Sequence, residues 1–155
     1  MELPDFPPRF DTDIVRPYWQ ALERGELALP SCSVCGAWQW YPFDFIRCHE
    51  GASLKWNSVP HVGTVFTFTA VHRGFLPNSS ANFAPYFAAL VELDGMPGVR
   101  IPTVLINLGA IVPEIGMHVR LNPQPRSTYT MPAFEPDGLK RGEGHDSKYK
   151  TDTAR

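Results

Sequence analysis

Residues 29–56, LPSCSVCGAWQWYPFDFIRCHEGASLKW, hold all three cysteines of the 155-residue chain. Cys32-Ser-Val-Cys35-Gly36 has the spacing of a metal knuckle. Two thiols two residues apart can chelate one ion, and a glycine just after them lets the backbone turn and aim its amides at the sulfurs. Cys48-His49-Glu50-Gly51 is half of a second knuckle, with glycine where a fourth cysteine would stand. His49 is the candidate fourth ligand, because neutral imidazole binds zinc well. The candidate metal set is therefore Cys32, Cys35, Cys48 and His49, and the expected ion is a structural zinc. A short segment with few long aliphatic side chains at its tip gains folding free energy from such an ion. Trp38, Trp40, Tyr41, Phe43 and Phe45 fall between the two halves. Aromatics at this density predict a strand there, and a small β-ribbon overall.

Outward on the N-terminal side, Asp11 or Asp13 can cap a helix whose first turn holds Pro17. Ile14, Tyr18 and Leu22 recur at helical spacing, and Gly25 predicts the stop. Trp19 lies beside that face. The first ten residues, MELPDFPPRF, form a proline-rich arm with no basic flank and no apolar run of the signal-peptide type.

On the C-terminal side the pattern changes to period two. Gly63 to Val71 predicts a half-buried strand, with Phe66, Phe68 and Ala70 on one face and Thr67 and Thr69 on the other. Tyr86–Leu93 is apolar on both faces and so central. Val99–Leu108 is a third strand, with Pro102 at an edge or bulge. Ile115–Leu121 alternates strictly and is a fourth. Short strands with turn signals between them predict a small barrel. The chain divides into an arm and helix (1–28), a zinc-ribbon-like element (29–56), an OB-type barrel (57–122) and an extended arm with a charged, disordered tail (123–155). Tyr129, Met131 and Phe134 of the extended arm are candidates for docking a partner or for wrapping their own barrel.

The sequence resembles the DUF35 family, OB-fold acyl-CoA-associated proteins with a rubredoxin-like zinc ribbon. The likeness is carried by Leu27 to Gly36, Tyr41-Pro42, Cys48, Gly63-Thr-Val-Phe-Thr-Phe-Thr, Pro85-Tyr86, Val91-Glu-Leu-Asp94, and Ile115-Gly116 with Val119. Ribbons of that family usually carry four cysteines. Cys32, Cys35 and Cys48 match three of them, and Gly51 stands at the fourth. The resemblance implies a mainly β protein: N-terminal helix, rubredoxin-like ribbon, OB barrel. It also implies a non-catalytic subunit that docks on a thiolase-fold enzyme, such as a thiolase or a steroid side-chain aldolase, and helps form its acyl-CoA site.

The residues themselves bound the chemistry. The formal net charge is −2, with 43% hydrophobic residues and 16 prolines. No run of residues reaches the roughly 18 apolar positions of a membrane span, and a cytoplasmic location is expected. The chain lacks a GxSxG, HExxH or Gly-rich phosphate motif, so no catalytic residue is assigned. His72-Arg73 opens a long loop, where Arg73 can pair with a phosphate and Phe75 or Phe83 can cover an acyl chain or an adenine. His61, His118 and His145 read as solvated or hydrogen-bonded side chains. Two other functions compete: a stand-alone acyl-CoA-binding protein or thioesterase, and a module for single-stranded nucleic acid. Residues 57–122 place Arg73, Arg100 and Arg120 against Glu92, Asp94 and Glu114. That formal neutrality disfavours nucleic acid.

Overall fold

The run of helix, knuckle and alternating strands folds into a ribbon set on a closed barrel. The computed structural model describes residues 12–72 and 85–138. Arg73, Phe75, Phe83, His145, the 1–10 arm and the tail after residue 138 lie outside them.

The helix α1 spans Arg16–Glu23, with Pro17 in its first turn. The expected aspartate cap is not used. A turn in which the Val15 N–H donates to the Thr12 carbonyl makes Val15 the N-cap, without a side-chain bond. Asp13 pairs instead with the Arg16 guanidinium. At the other end Gly25 takes φ +79°. Its N–H donates to the Leu22 carbonyl and that of Glu26 to Ala21, which closes the last turn as glycine-ended helices do. Tyr18, Ala21 and Leu22 are buried.

Strands β1 (Ala28–Cys32) and β2 (Leu54–Ser58) pair antiparallel and form the ribbon. The strand expected between the two half-knuckles does not form. Only Trp38 bridges to Ser31. Residues 39–47 are an irregular loop held by one buried side chain: the Gln39 amide donates to the Phe45 carbonyl at 2.8 Å and accepts from the Arg47 N–H at 3.2 Å. Those bonds replace a sheet ladder, which is why aromatic content misled here.

Strands β3 (Val62–Val71), β4 (Tyr86–Leu93), β5 (Arg100–Leu105), β6 (His118–Leu121) and β9 (Ala133–Pro136) close a barrel in the order β3-β4-β5-β9-β6. Only β5 and β9 run parallel. This is the five-stranded OB arrangement. Two short strands, β7 (Gln124–Pro125) and β8 (Thr130–Met131), make a hairpin in the connection from β6 to β9. The barrel thus extends beyond residue 122: the segment read as an extended arm supplies its fifth strand. Prolines at 132 and 136 hide that strand from pattern reading, since proline is depleted from strand interiors.

Strand β3 also departs from the simple alternation. Its register against β4 slips between Val65 and Thr67. A bulge adds one residue and flips the side-chain faces beyond it. Val65 therefore enters the core and Phe66 stands outside under the Arg100 guanidinium, while Phe68 returns inward against Phe87. Pro102 sits where β5 has only β4 beside it, because pairing with β9 begins at Val104.

The two parts share one core. Tyr18, Leu22, Leu27 and Leu29 join Val65, Val91, Ile101, Leu105, Val119 and Phe134 in a single buried cluster. The Trp40 indole N–H donates to the Arg100 carbonyl at 3.0 Å, and the Leu27 N–H donates to Nε2 of His61 at 3.2 Å.

Candidate metal centre and its surroundings

The knuckle is positioned by the end of β1. Cys32 is the last residue of that strand, and its carbonyl accepts the N–H of Gly36, which takes φ +73°. This tight turn carries Cys35 back beside Cys32. The second half-knuckle follows the irregular loop, and its return is pinned where the Ser33 N–H donates to the Ser53 carbonyl.

One ligand atom from each of Cys32, Cys35, Cys48 and His49 lies within 4.8 Å of the others. Cys32 Sγ is 3.6 Å from His49 Nδ1, and Cys35 Sγ is 3.4 Å from Cys48 Sγ. A tetrahedral zinc with Zn–S of about 2.3 Å and Zn–N of about 2.0 Å sets its donors roughly 3.5–3.8 Å apart. Three sulfurs and one imidazole at these separations are close enough to hold a metal, and the donor chemistry suits a tetrahedral divalent ion. Neighbours Cys48 and His49 do converge, each reaching a different cysteine. Gly51, at the place of the usual fourth cysteine, has φ +75°. A side chain there would be strained, so the glycine serves the turn and the histidine supplies the donor.

The thiols are polarised in opposite directions. Backbone amides, that of Cys35 foremost and then that of Val34, donate to Cys32 and hold its pKa down at about 6, against some desolvation. The thiol of Cys35 pushes Cys48 up to about 11, with desolvation adding to the rise. Amides aimed at the first sulfur stabilise a thiolate, which is the form that binds metal.

Cys32 is only 2% exposed. With its sulfur buried, the contact with His49 suits a pair of metal donors better than a nucleophile and base. Next to the centre, Trp38, Tyr41, Phe43 and Phe45 are exposed, with Phe43 and Phe45 stacked at 5.5 Å and Arg47 over Phe43. Trp38, Tyr41, Phe43 and Arg47, with Gln39, Cys48 and others, line a cavity of about 320 Å³. Sequence reasoning took these aromatics as strand residues and did not see the surface they form.

Other expected site residues fall elsewhere. Arg73, Phe75 and Phe83 are among the residues outside the description. Tyr129, Met131 and Phe134, read as docking a partner or as wrapping their own barrel, pack within this chain. Phe134 is 0% and Tyr129 7% exposed, because Phe134 fills the barrel and the Tyr129 ring meets Trp19 edge-on at 6.1 Å. Met131 is half-buried against Ile106 and Ala133. A second polar group was missed. Glu135 accepts from the side-chain amides of Asn107 (2.6 Å) and Asn122 (2.8 Å) and pairs with Arg120 (2.7 Å). The amides of Asn107 and Asn122, then Arg120, hold its carboxyl below the usual range. Its members come from three strand ends, so no local spacing could announce it. No helix among the described residues is long and apolar enough to cross a membrane.

Residues 56–123 match the sequence profile of the ChsH2 C-terminal OB-fold domain. A search of the curated proteins found no match. Among solved structures, a chain of the "Ltp2-ChsH2(DUF35) aldolase" superposes with a TM-score of 0.72 at 24% identity, covering 84% of this chain and 98% of that one. A DUF35 protein of unknown function from Sulfolobus solfataricus superposes with a TM-score of 0.55 at 12% identity, covering 81% and 86%. These likenesses extend through ribbon and barrel together, and the chain shares the fold of these DUF35 proteins, with an OB-fold domain of the ChsH2 C-terminal type over residues 56–123.

Proposed function

We propose that this chain is a non-catalytic subunit that docks on a thiolase-fold enzyme, an aldolase or a thiolase acting on an acyl-CoA, with zinc held by Cys32, Cys35, Cys48 and His49 in a structural role. The observation that carries the reading is the likeness, across helix, ribbon and barrel, to a DUF35 chain from an aldolase. Steroid or lipid side-chain degradation is the setting that the resemblance of the sequence to the DUF35 family implies.

The ribbon's features fit the role. Its metal ligands are turned inward at Cys32, while Trp38, Tyr41, Phe43 and Phe45 face solvent. Exposed aromatics grouped on one surface are the usual centre of a protein interface. An aldolase must deprotonate a β-hydroxyl and hold a thioester enolate in an oxyanion hole; in this reading those groups come from the partner chain.

The nucleic-acid alternative is weakened by how the barrel cations are used. Arg100 pairs with Glu92 and covers Phe66, and Arg120 pairs with Glu135. The thioesterase alternative is weakened because the thiols and His49 are gathered at the separations of a metal site.

Co-purification of the tagged chain from its own cell extract, with mass spectrometry of what is bound, tests the proposal. A thiolase-fold protein in stoichiometric amount is the expected result. Recovery of the chain alone, or with nucleic acid, overturns it.

A further inference from the structure

The four donors of the cluster are unevenly exposed. Cys32 is buried, with its sulfur 3.6 Å from His49 Nδ1. Cys35 and Cys48 are both exposed, and their sulfurs lie 3.4 Å apart. Cys48 also lines the open cavity of about 320 Å³ beside the ribbon loop, which brings solvent and small solutes to it. A sulfur–sulfur bond is about 2.05 Å long, so the exposed pair is about 1.4 Å from bonding distance. Cys35 and Cys48 belong to different half-knuckles, and a bond between them spans the loop. Paired, accessible thiols of this kind are the ones that oxidise reversibly.

We propose that Cys35 and Cys48 are an oxidative modification site: hydrogen peroxide joins them in a disulfide, which dismantles the metal site and leaves Cys32 a free thiol beside His49. The release of metal rests on the zinc reading of the cluster; the cross-link rests on the two thiols alone. One sulfur attacks a peroxide oxygen. An S–O bond forms, the O–O bond breaks, and the departing hydroxide takes a proton and leaves as water. The second sulfur then attacks the sulfenic acid, forming the S–S bond and expelling a second water. Two thiols lose two electrons and two protons, and one peroxide is reduced to two waters.

Sulfurs in a disulfide are no longer thiolates, and the thiolate is the form that binds metal. Cys32 and His49 remain, half of a tetrahedral set. The new bond holds the half-knuckles together, so reduction restores the site. The loop it spans carries the exposed Trp38, Tyr41, Phe43 and Phe45, so the surface read as partner-docking changes with the redox state of this pair.

Zinc content and tryptic mapping of the full chain, before and after hydrogen peroxide, test this. Trypsin cuts after Arg24, Arg47 and Lys55, which puts Cys32 and Cys35 on one peptide and Cys48 on another. The expected product joins peptides 25–47 and 48–55 with the loss of two hydrogens. Fragmentation should place the link at Cys35, and denaturing alkylation should find Cys32 free. About one ion per chain should reach a chromogenic chelator in step with the cross-link, and zinc should rebind after dithiothreitol. Cys48→Ser should give no joined peptides, and oxidation in urea should give mixed pairings. A disulfide within peptide 25–47, a link at Cys32, cross-links between chains, or sulfinic and sulfonic acids in place of a disulfide overturn the proposal. A chain isolated without metal overturns the zinc reading and the release step, and the same digest then decides the cross-link by itself.

Discussion

The ribbon and the barrel solve the same problem, holding short irregular strands together, by different means. The barrel does it with apolar burial: Val65, Val91, Ile101, Leu105, Val119 and Phe134 interdigitate in a closed sheet that leaves no edge. The ribbon has two strands and a long loop; Leu27 and Leu29 at its base lie in that core, and Trp40 and Trp56 pack against it. Beyond Cys32 the loop is gathered by the cluster of Cys32, Cys35, Cys48 and His49, by Gln39 and by Trp40. The lesson is that a small element can keep its aromatics on the surface, free for another protein, when something other than hydrophobic burial holds its fold.

The sharpest way to break this contrast is to remove the metal. Structural zinc contributes on the order of 10 kcal/mol to isolated finger peptides, far more than one apolar contact. Chelation, or Cys32→Ser, should therefore release about one ion per chain and strip amide-exchange protection from residues 33–53. Protection at Val65, Val91 and Val119 should persist. Simultaneous loss in the barrel would show that the two parts are one cooperative unit.

The next largest effect tests the barrel's side. Phe134→Ala leaves a cavity at the centre of the core and should cost about 3–5 kcal/mol in urea unfolding. A cost near zero would mean that the segment after residue 122 is an accessory arm after all. Gly63→Ala follows. A methyl group there would collide with the Glu92 carbonyl and the Val91 side chain, where β3 and β4 approach closely. Overpacking of this kind costs about 1–3 kcal/mol, and an unchanged melting temperature would refute the close approach.

The smallest effect depends on pH. Glu135 has its carboxyl held below the ordinary value in the folded state. The stability it contributes is present above the unfolded carboxylate pKa of about 4.3 and is lost as pH falls through the lower, folded value. Glu135→Gln should therefore cost about 1–2 kcal/mol at pH 7, in the range for hydrogen bonds to a charged group. The deficit should shrink as the pH drops below about 4. A deficit that is constant with pH would place the loss in packing, not charge.

Much of both regions was legible in the sequence because their signals are local. The Cys32–Cys35 spacing, Gly25 after an amphipathic turn, and the alternation at Val119 and Leu121 each express a constraint within a few residues. Where the reading went wrong, a distant partner decided. The bulge at Phe66 appears only in the pairing of β3 with β4. The strand predicted over Trp38–Phe45 lost to the two hydrogen bonds of one buried glutamine. Phe134, expected on an outer arm, is drawn into the barrel by pairing with two strands, β5 and β6.

The sequence by itself determined the helix, the four barrel strands before residue 122, the three thiols with their histidine, and the order of helix, ribbon and barrel. These follow from residue spacing, which the chain carries with it. Only the tertiary structure decided that Cys48 and His49 both face the knuckle and that β9 closes the barrel. The reason is physical: convergence depends on loop closure and shared burial among residues far apart in the chain, and neither leaves a period in the sequence to be read.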